Sequence, residues 1–395
     1  MEQVKTPRVE LEKRWKRLQE KMREKGIGGA LIVQRADLFY YSGTGQDAHL
    51  FIPAEGLPQL LVRRNLQRAR LESSLPQIGS LGGWSDLAGL IAEEAPKDAP
   101  LGLELDVLPV NLFHRYKKLF APLELTDISP LIRRLRAVKS AYELRQLKEA
   151  AALAETVFAL VKKIYRTGMT ELELAAELEA FARTGGHQGA IRMRGFNQEM
   201  FYSHTLSGES ATVPSFFNGV TGGYGLNPSF PQGASNKKIK PGELLLIDFV
   251  TVVNGYMVDQ TRIFCPGEPA PSLLRAHETA LQIKRALMKK GRTGANGADL
   301  YREAVGIAAA AGLEDHFMGA AEKVAFVGHG VGLELDELPV IARNYDITLA
   351  SGMVIALEPK FVFPGQGTVG IEDTFVVRAG GLEQLTSFDE AIQVL

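Results

Sequence analysis

Apolar side chains near the start of the chain follow a helical spacing. Over residues 9–25 they recur in steps of three and four, at Leu11, Trp15, Leu18 and Met22, which indicates an amphipathic helix. The next segment, GGALIVQRADLFYYSG, predicts a strand that leads into a loop. Helix, strand and Gly/Pro turn signals then alternate to about residue 130. We therefore assign residues 1–135 to a small α/β domain.

A second domain begins with two predicted helices. A stripe of apolar side chains spans residues 140–166, and Thr170 with Glu173 forms a capping-box pattern that starts a helix over 171–184. Residues 190–235 are instead dense in Gly, Pro, Asn and Phe. A loop of that length inside a compact domain is uncommon and often functional.

The rest of the chain predicts mainly strands. Two of them, over 243–253 and 256–264, flank Asn254-Gly255, which is a strong hairpin signal. We further predict helices over 270–290 and 297–311, and strands over 324–328, 353–362, 369–377 and 391–394. Helices followed by antiparallel hairpins favour an α+β fold for residues 136–395.

Composition narrows the function mainly by exclusion. The chain has 395 residues, with 45 Lys and Arg against 46 Asp and Glu and a net charge of −1, whereas nucleic-acid-binding proteins usually carry a basic bias. The single cysteine, Cys265, excludes a disulfide within the chain and fits a reducing cytoplasm. The N-terminus shows no apolar signal segment, and no apolar run approaches the ~18 residues that span a bilayer. We therefore expect a cytoplasmic protein that binds neither nucleic acid nor membrane.

Two predicted hairpins bring carboxylates together in pairs. With the Asn-Gly turn in place, Asp248 faces Thr261, and Asp259 lies two residues from Thr261 on the same face. Diagonal neighbours of this kind sit ~7–8 Å apart. In the second pair, Glu358 and Glu372 flank a PGQG loop symmetrically and should lie opposite each other.

Carboxylates that face one core repel one another unless a cation neutralises them. Taken singly, an Asp in a strand, a Glu before Pro or a His between glycines is more often structural than a ligand. The alignment of both pairs nevertheless favours a divalent metal centre formed by Asp248, Asp259, His329, Glu358 and Glu372. This oxygen-rich set suits manganese, iron, cobalt or zinc, and bridging carboxylates predict two ions ~3.5–4 Å apart.

These segments resemble the creatinase/prolidase/aminopeptidase P family of metallopeptidases. The matches occur in the family's order: Asp248 with Asp-x-Thr-Arg at 259–262, Gly-His-Gly-x-Gly at 328–332, Glu358-Pro359, and Ile-Glu-Asp at 371–373. Residues 136–140 are similar to the segment that opens the family's catalytic domain. The resemblance covers nearly the whole chain. It implies a pita-bread catalytic domain over 136–395 behind a creatinase-like N-terminal α/β domain over 1–135.

Two positions depart from the family pattern. The family usually has a His-Glu pair where this chain has Asp336 before Glu337. The family's Pro-His upstream of the first ligand corresponds to Pro231-Gln232, or in another alignment to Pro214-Ser215. Both usual histidines are thus replaced, and we expect Asp336 and Gln232, together with Glu358, to take the catalytic positions. Gln cannot exchange a proton near pH 7, whereas Asp is a base with an ordinary pKa of ~3.9.

Two histidines and two arginines could either line the pocket or lie outside it. His187 and His204 could supply an imidazole to the pocket, but a structural role in a loop or strand is favoured for both. Arg192 and Arg194 could pair with a substrate carboxylate or face solvent.

The resemblance implies a metal-dependent hydrolase similar to Xaa-Pro aminopeptidases and dipeptidases, in which metal-activated water attacks a peptide or amide carbonyl. It also implies a homodimer, a small peptide or small-molecule substrate, and a site reached past the loop at 215–235 and the N-terminal domain. Two alternatives stay open, because a fold does not fix a function. One is a metalloenzyme of another class, such as a lyase or a hydrolase of a small metabolite. The other is a non-catalytic metal-binding homologue.

Overall fold

The structure of the protein is a computed structural model that describes residues 4–395. The chain divides into two compact units between Arg136 and Ala137. The first unit is a mixed α/β domain and the second is an α+β domain, as the sequence predicts. Within residues 4–395, no helix combines the length and the apolar character that crossing a bilayer requires.

One six-stranded sheet forms the centre of the first unit. The elements are α1 (Arg8–Glu24), β1 (Gly29–Ile32), α2 (Arg35–Ser42), β2 (Ala48–Pro53), β3 (Gln59–Val62), α3 (Leu66–Glu72), β4 (Gln77–Ser80), α4 (Trp84–Glu94), β5 (Leu101–Leu103), α5 (Val110–Leu119), β6 (Leu125–Asp127) and α6 (Ser129–Ala137). The strand order is β4-β3-β2-β1-β5-β6. Strand β2 is antiparallel to both neighbours and the other pairs are parallel.

The prediction of a loop after β1 is wrong, because residues 35–42 form the helix α2. The Gln34 side chain accepts a hydrogen bond from the Asp37 backbone N–H and so caps the first turn. Gly43 ends the helix at a φ of 76°, a left-handed conformation that glycine adopts without strain. Gln is not among the residues that usually mark a helix start, which is why the sequence pattern did not reveal this helix.

The second unit places helices against three sheets. Its elements are α7 (Ala141–Ile164), α8 (Glu171–Thr184), β7 (Ser203–Ser207), β8 (Leu245–Val253), β9 (Tyr256–Cys265), α9 (Pro271–Lys290), α10 (Gly297–Ala310), β10 (Phe326–Gly330), β11 (Glu337–Ala342), β12 (Val354–Leu357), β13 (Lys360–Phe363), β14 (Gly367–Gly370), β15 (Asp373–Arg378), β16 (Gly381–Gln384) and β17 (Gln393–Val394). The sheet orders are β17-β9-β8-β7, β11-β10-β12-β15-β16 and β13-β14. The capping box of α8 forms as predicted.

The hairpin of β8 and β9 has the register that its Asn-Gly turn predicts. Asp248 lies opposite Thr261, and Asp259 lies opposite Val250. The two aspartates are therefore diagonal neighbours on one face of the hairpin, which confirms the predicted pairing. Strand β7 extends the same sheet and places His204 opposite Asp248.

Two of the predicted strands are each broken once. Residues 353–362 form β12 and β13, which are separated by Glu358-Pro359, and residues 369–377 form β14 and β15, which are separated by Ile371-Glu372. Proline has no N–H to donate to a sheet, so the ladder ends there. The pairing continues in one register across the break, from Leu357 with Asp373 to Lys360 with Gly370. The expected opposition of the two glutamates is thus confirmed, and both lie where the chain passes from one sheet to the other.

A buried histidine, His49, gives a test of the packing in the first unit. Burial lowers the pKa of His49 to about 4 from 6.5, and the ring contacts the Tyr116 hydroxyl at 2.7 Å. A depressed histidine pKa stabilises the fold fully above pH 6.5, and this contribution is lost as the pH falls toward 4. Between pH 7 and pH 4.5 we expect the wild type to lose roughly 2–3 kcal/mol more unfolding free energy than His49→Gln.

Tryptophan fluorescence during urea unfolding measures this difference, because both tryptophans, Trp15 and Trp84, lie in the first unit. An equal loss of unfolding free energy in the two proteins would show that His49 does not remain neutral in the folded state.

Candidate metal centre

The five predicted metal ligands line one pocket in the second unit. The pocket encloses about 520 Å³, including the part open to solvent. Residues 217–221, from the loop expected to control access, form part of its wall. The charged and imidazole side chains in the lining are Asp248, Asp259, His329, Glu358, Glu372, His204, Asp336 and Lys360.

Neighbouring strands fix the position of Glu372. Thr261 Oγ1 donates a hydrogen bond to Glu372 Oε2 at 2.8 Å, and Arg262 Nη1 donates to the Glu372 carbonyl oxygen at 2.9 Å. Arg262 is completely buried and pairs with Asp373 at 2.8 Å. Strand β9 therefore holds both the main chain and the carboxylate of Glu372, and it carries Asp259 as well.

A lysine that the sequence analysis did not single out lies among the carboxylates. Lys360, on β13, is buried, and its Nζ lies 3.0 Å from Asp248 Oδ2, 2.9 Å from Glu358 Oε2 and 2.7 Å from Glu372 Oε2. All three contacts are hydrogen-bonded ion pairs. The ammonium thus neutralises part of the charge that the four carboxylates bring together.

The other carboxylate oxygens surround His329. Its Nε2 lies 3.8 Å from Asp259 Oδ2, 3.7 Å from Glu358 Oε1 and 3.8 Å from Glu372 Oε1, which is too far for hydrogen bonds. Two ligand atoms that each lie ~2.0–2.2 Å from one ion are at most ~4.4 Å apart. The observed separations therefore suit atoms that share a divalent cation.

Two buried oxygens show that these side chains fit a metal ion. Asp259 Oδ1 and Glu372 Oε1 have no hydrogen-bond partner among the described residues, and burying a charged oxygen in this way is costly. An ion held by Asp259, His329 and Glu372, whose ligand atoms lie within 4.8 Å of one another, would compensate them. Carboxylate oxygens with one imidazole suit manganese, iron, cobalt or zinc.

Burial and neighbouring charges shift the pKa values of the glutamates in opposite directions. Burial raises the pKa of Glu358 to about 7 against the opposing charge of Lys360. Burial would also raise the pKa of Glu372, but Lys360 and His329 hold it at about 2. Burial and the charge of Glu372 raise the pKa of Asp259 well above its ordinary range. A divalent ion would therefore displace protons as it binds.

Asp336 and Gln232, the residues expected at two catalytic positions, occupy different places. Asp336 lines the pocket, and its Oδ1 lies 3.5 Å from His329 Nδ1. Gln232 is buried, where its Nε2 donates to the Glu199 carbonyl at 2.8 Å and its Oε1 accepts from the Phe201 N–H at 3.0 Å. Of these two residues, only Asp336 thus lines the pocket.

His204 lines the pocket, although the sequence favoured a structural role for it. Its Nε2 lies 3.3 Å from Gln232 Oε1. The main-chain contacts of Gln232 fix its amide orientation, so the oxygen faces His204 and His204 Nε2 carries the proton. His187 lies with its Nε2 3.0 Å from the Val250 carbonyl, which is the structural role expected for it. Arg194 pairs with Glu334 at 3.6 Å.

One sequence signal pointed to Lys360. It follows Glu358 by two residues, and that spacing puts side chains on the same face of an extended chain. No comparable local signal marks His204, because its place in the pocket depends on the pairing of β7 with β8 across a loop of more than 30 residues.

A carboxylate and imidazole site between paired strands, in an α+β domain that follows a mixed α/β domain, is the arrangement that the resemblance to prolidase-type metallopeptidases predicts. Residues 145–379 match the profile of metallopeptidase family M24, and residues 14–138 match that of the creatinase/prolidase N-terminal domain. The chain belongs to metallopeptidase family M24.

The similarity to known proteins covers both units. The Xaa-Pro dipeptidase of Pyrococcus furiosus is 27% identical over 385 residues, which are 97% of this chain and 100% of that protein. The uncharacterized peptidase YqhT of Bacillus subtilis is 27% identical over 94% of this chain and 96% of its own length. The solved structure of an Xaa-Pro dipeptidase from Bacillus anthracis has a TM-score of 0.83 at 26% identity, covering 98% of this chain and 100% of the other.

Metal binding should stabilise the second unit. A ligand that binds only the folded state contributes ~2.7 kcal/mol at one hundred times its Kd, and we expect manganese to raise the unfolding temperature by roughly 5–10 °C. Glu372→Gln should remove most of this shift, because it removes a charged ligand. Differential scanning calorimetry with manganese and with a chelator measures it.

Glu171→Gln is the matched control for that experiment. Glu171 is a buried glutamate that accepts hydrogen bonds from Ser207 and Ser235 outside the pocket. This variant should keep the manganese shift, although its own unfolding temperature falls. A shift that survives in Glu372→Gln would place the bound ion elsewhere.

Proposed function

We propose that this protein is a metal-dependent hydrolase of small peptides whose substrates are Xaa-Pro dipeptides or short peptides with proline in second position. The observation that carries the proposal is the convergence of Asp259, Glu358 and Glu372 oxygens around His329 Nε2 at 3.7–3.8 Å. The Xaa-Pro dipeptidases among its full-length relatives support the substrate class. Manganese, cobalt, iron or zinc fits the donor set.

Different residues around the metal position would transfer protons and bind the substrate. A bound divalent ion supplies Lewis acidity that activates water and polarises a carbonyl. Glu358, whose Oε1 faces the metal position beside His329, accepts a proton from the attacking water. Asp336 presents a carboxylate at the pocket wall, where it can accept a hydrogen bond from a substrate amine or amide.

His204 supplies the imidazole that Gln232 and Asp336 cannot. Burial lowers the pKa of His204, so the ring is neutral near pH 7. Because Nε2 donates to Gln232, the second nitrogen, Nδ1, is the one that can accept a proton or a hydrogen bond. A neutral imidazole in the pocket can therefore assist proton movement during amide cleavage.

The substrate class can be tested with a panel of Xaa-Pro dipeptides and Xaa-Pro-Xaa tripeptides, assayed with manganese and with a chelator. We expect manganese-dependent release of the N-terminal residue. Glu358→Gln should lower kcat/KM by roughly 1,000-fold, since it removes both a ligand charge and the proton acceptor. Glu171→Gln should keep its activity at a temperature where it is folded.

Metal binding without turnover of any peptide in the panel would reject the peptidase proposal. That outcome would favour a metalloenzyme that acts on another small metabolite, or a metal-binding homologue without catalysis. The homodimer and the cytoplasmic location stay predictions from the sequence.

The role of His204 can be tested with two histidine variants. His204→Asn should lower kcat by about 100-fold with little change in KM, because general acid–base catalysis contributes ~10²–10⁴-fold. His187→Asn removes a histidine that contacts the Val250 carbonyl and should change kcat only slightly once the protein is folded. Similar losses in the two variants would assign His204 a structural role.

A further inference from the structure

We propose that the ammonium of Lys360 takes the place of one of the two metal ions that this arrangement of carboxylates could hold, so that the protein binds a single divalent ion per chain. The inference deepens the proposed function, on which it rests for the ion in the other position. Because Lys360 is part of the chain, its ammonium occupies one cation position in the carboxylate cluster permanently.

The two glutamates divide their oxygens between two cation positions. Glu358 Oε2 and Glu372 Oε2 contact Lys360 Nζ at 2.9 and 2.7 Å. Their Oε1 atoms instead face His329 Nε2 at 3.7 and 3.8 Å. Carboxylates that present one oxygen to each of two positions are the bridging ligands of a two-cation site, and here Nζ of Lys360 fills one position.

The remaining aspartates fall one on each side. Asp248 Oδ2 lies 3.0 Å from Lys360 Nζ, whereas Asp259 Oδ2 lies 3.8 Å from His329 Nε2. One position therefore has three oxygens and an ammonium, and the other has three oxygens and an imidazole nitrogen. The position beside His329 is the one whose oxygens include Glu372 Oε1, which has no hydrogen-bond partner among the described residues.

Space excludes a metal ion beside the ammonium. An ion that bound Asp248 Oδ2, Glu358 Oε2 and Glu372 Oε2 would lie ~2.0–2.2 Å from each oxygen. Nζ already lies 2.7–3.0 Å from the same three atoms, so the ion and the ammonium would overlap.

The fold makes room for the lysine stem. Lys360 pairs with Gly370 across β13 and β14. A Cβ on Gly370 would lie 2.5 Å from the Pro359 carbonyl oxygen, 2.7 Å from Lys360 Cα and 2.8 Å from Lys360 Cγ, closer than Cβ atoms pack. Glycine at 370 thus accommodates both the close approach of the backbone and the first part of the lysine stem.

Metal stoichiometry tests the proposal directly. Purified wild type and Lys360→Ala are loaded with manganese, freed of excess ion, and analysed by elemental mass spectrometry and native mass spectrometry. We expect one ion per chain in the wild type and two in Lys360→Ala. The manganese electron paramagnetic resonance spectrum should change from that of an isolated ion to that of an exchange-coupled pair.

Lys284→Ala is the matched control. Lys284 is equally buried, and its ammonium pairs with Asp373 and Glu390, neither of which lines the pocket. This variant should bind the same number of ions as the wild type. A second ion in both variants would show that the loss of any buried lysine creates the extra site. The extra site would then not depend on removing Lys360 from the carboxylate cluster, and the proposal would be overturned.

The remaining outcomes separate this proposal from the proposed function. Two ions in the wild type, or one ion in folded Lys360→Ala, would overturn the lysine's role and leave a metal-dependent hydrolase intact. A wild type that binds none would overturn the metal-dependent function. In that case, one more ion in Lys360→Ala than in the wild type would still support the lysine as a substitute cation, and an equal number would overturn it.

Discussion

Repulsion among four converging carboxylates is the constraint on which the second unit depends. Asp259, Glu358 and Glu372 are buried, and the partly exposed Asp248 completes the group. Isolated carboxylates at such positions would take up protons or force the strands apart. Lys360 provides part of the opposite charge, and a cation beside His329 would provide the rest. The packing of the surrounding strands therefore depends on how this charge is neutralised.

The carboxylates converge because the strands that carry them end at the junction between two sheets. Proline at 359 stops one ladder, and the glutamate before it and Glu372 opposite project at the junction between two sheets. Arg262 and Thr261 then hold Glu372 from β9. Two strand breaks and the strands β8, β9, β10 and β13 thus converge on a small volume, which no single helix or hairpin could achieve. The rigidity of that arrangement lets two carboxylates serve two cation positions.

Local patterns in the sequence predicted much of this site. An Asn-Gly turn fixed the register of Asp248 with Thr261, and symmetry about the PGQG loop placed Glu358 opposite Glu372. Both inferences needed only a turn type and a period of two. The helix at 35–42 was missed because its cap is a glutamine, and the strand breaks were missed because alternation of side chains continues across them.

The position of His204 could not be predicted for a different reason. Its neighbour in the sheet is Asp248, and the loop between their strands carries no signal of where its two ends meet. Non-local pairing of this kind is set by the whole domain rather than by a sequence window. The resemblance to a family predicted a set of metal ligands, but it could not reveal a histidine at a position outside the family's motifs.

An ammonium and a divalent ion are not chemically equivalent, and this difference shapes what the site can do. Lys360 donates hydrogen bonds and holds three carboxylates in place, but it has no empty orbital with which to polarise a carbonyl. Lewis acidity is therefore confined to the position beside His329. In the proposed function, Glu358, Asp336 and His204 exchange protons in the same pocket, which all three line. With an ammonium in one of the two cation positions, only the other position can hold a Lewis-acidic metal ion. In return, the geometry of the carboxylates no longer depends on filling both positions with metal.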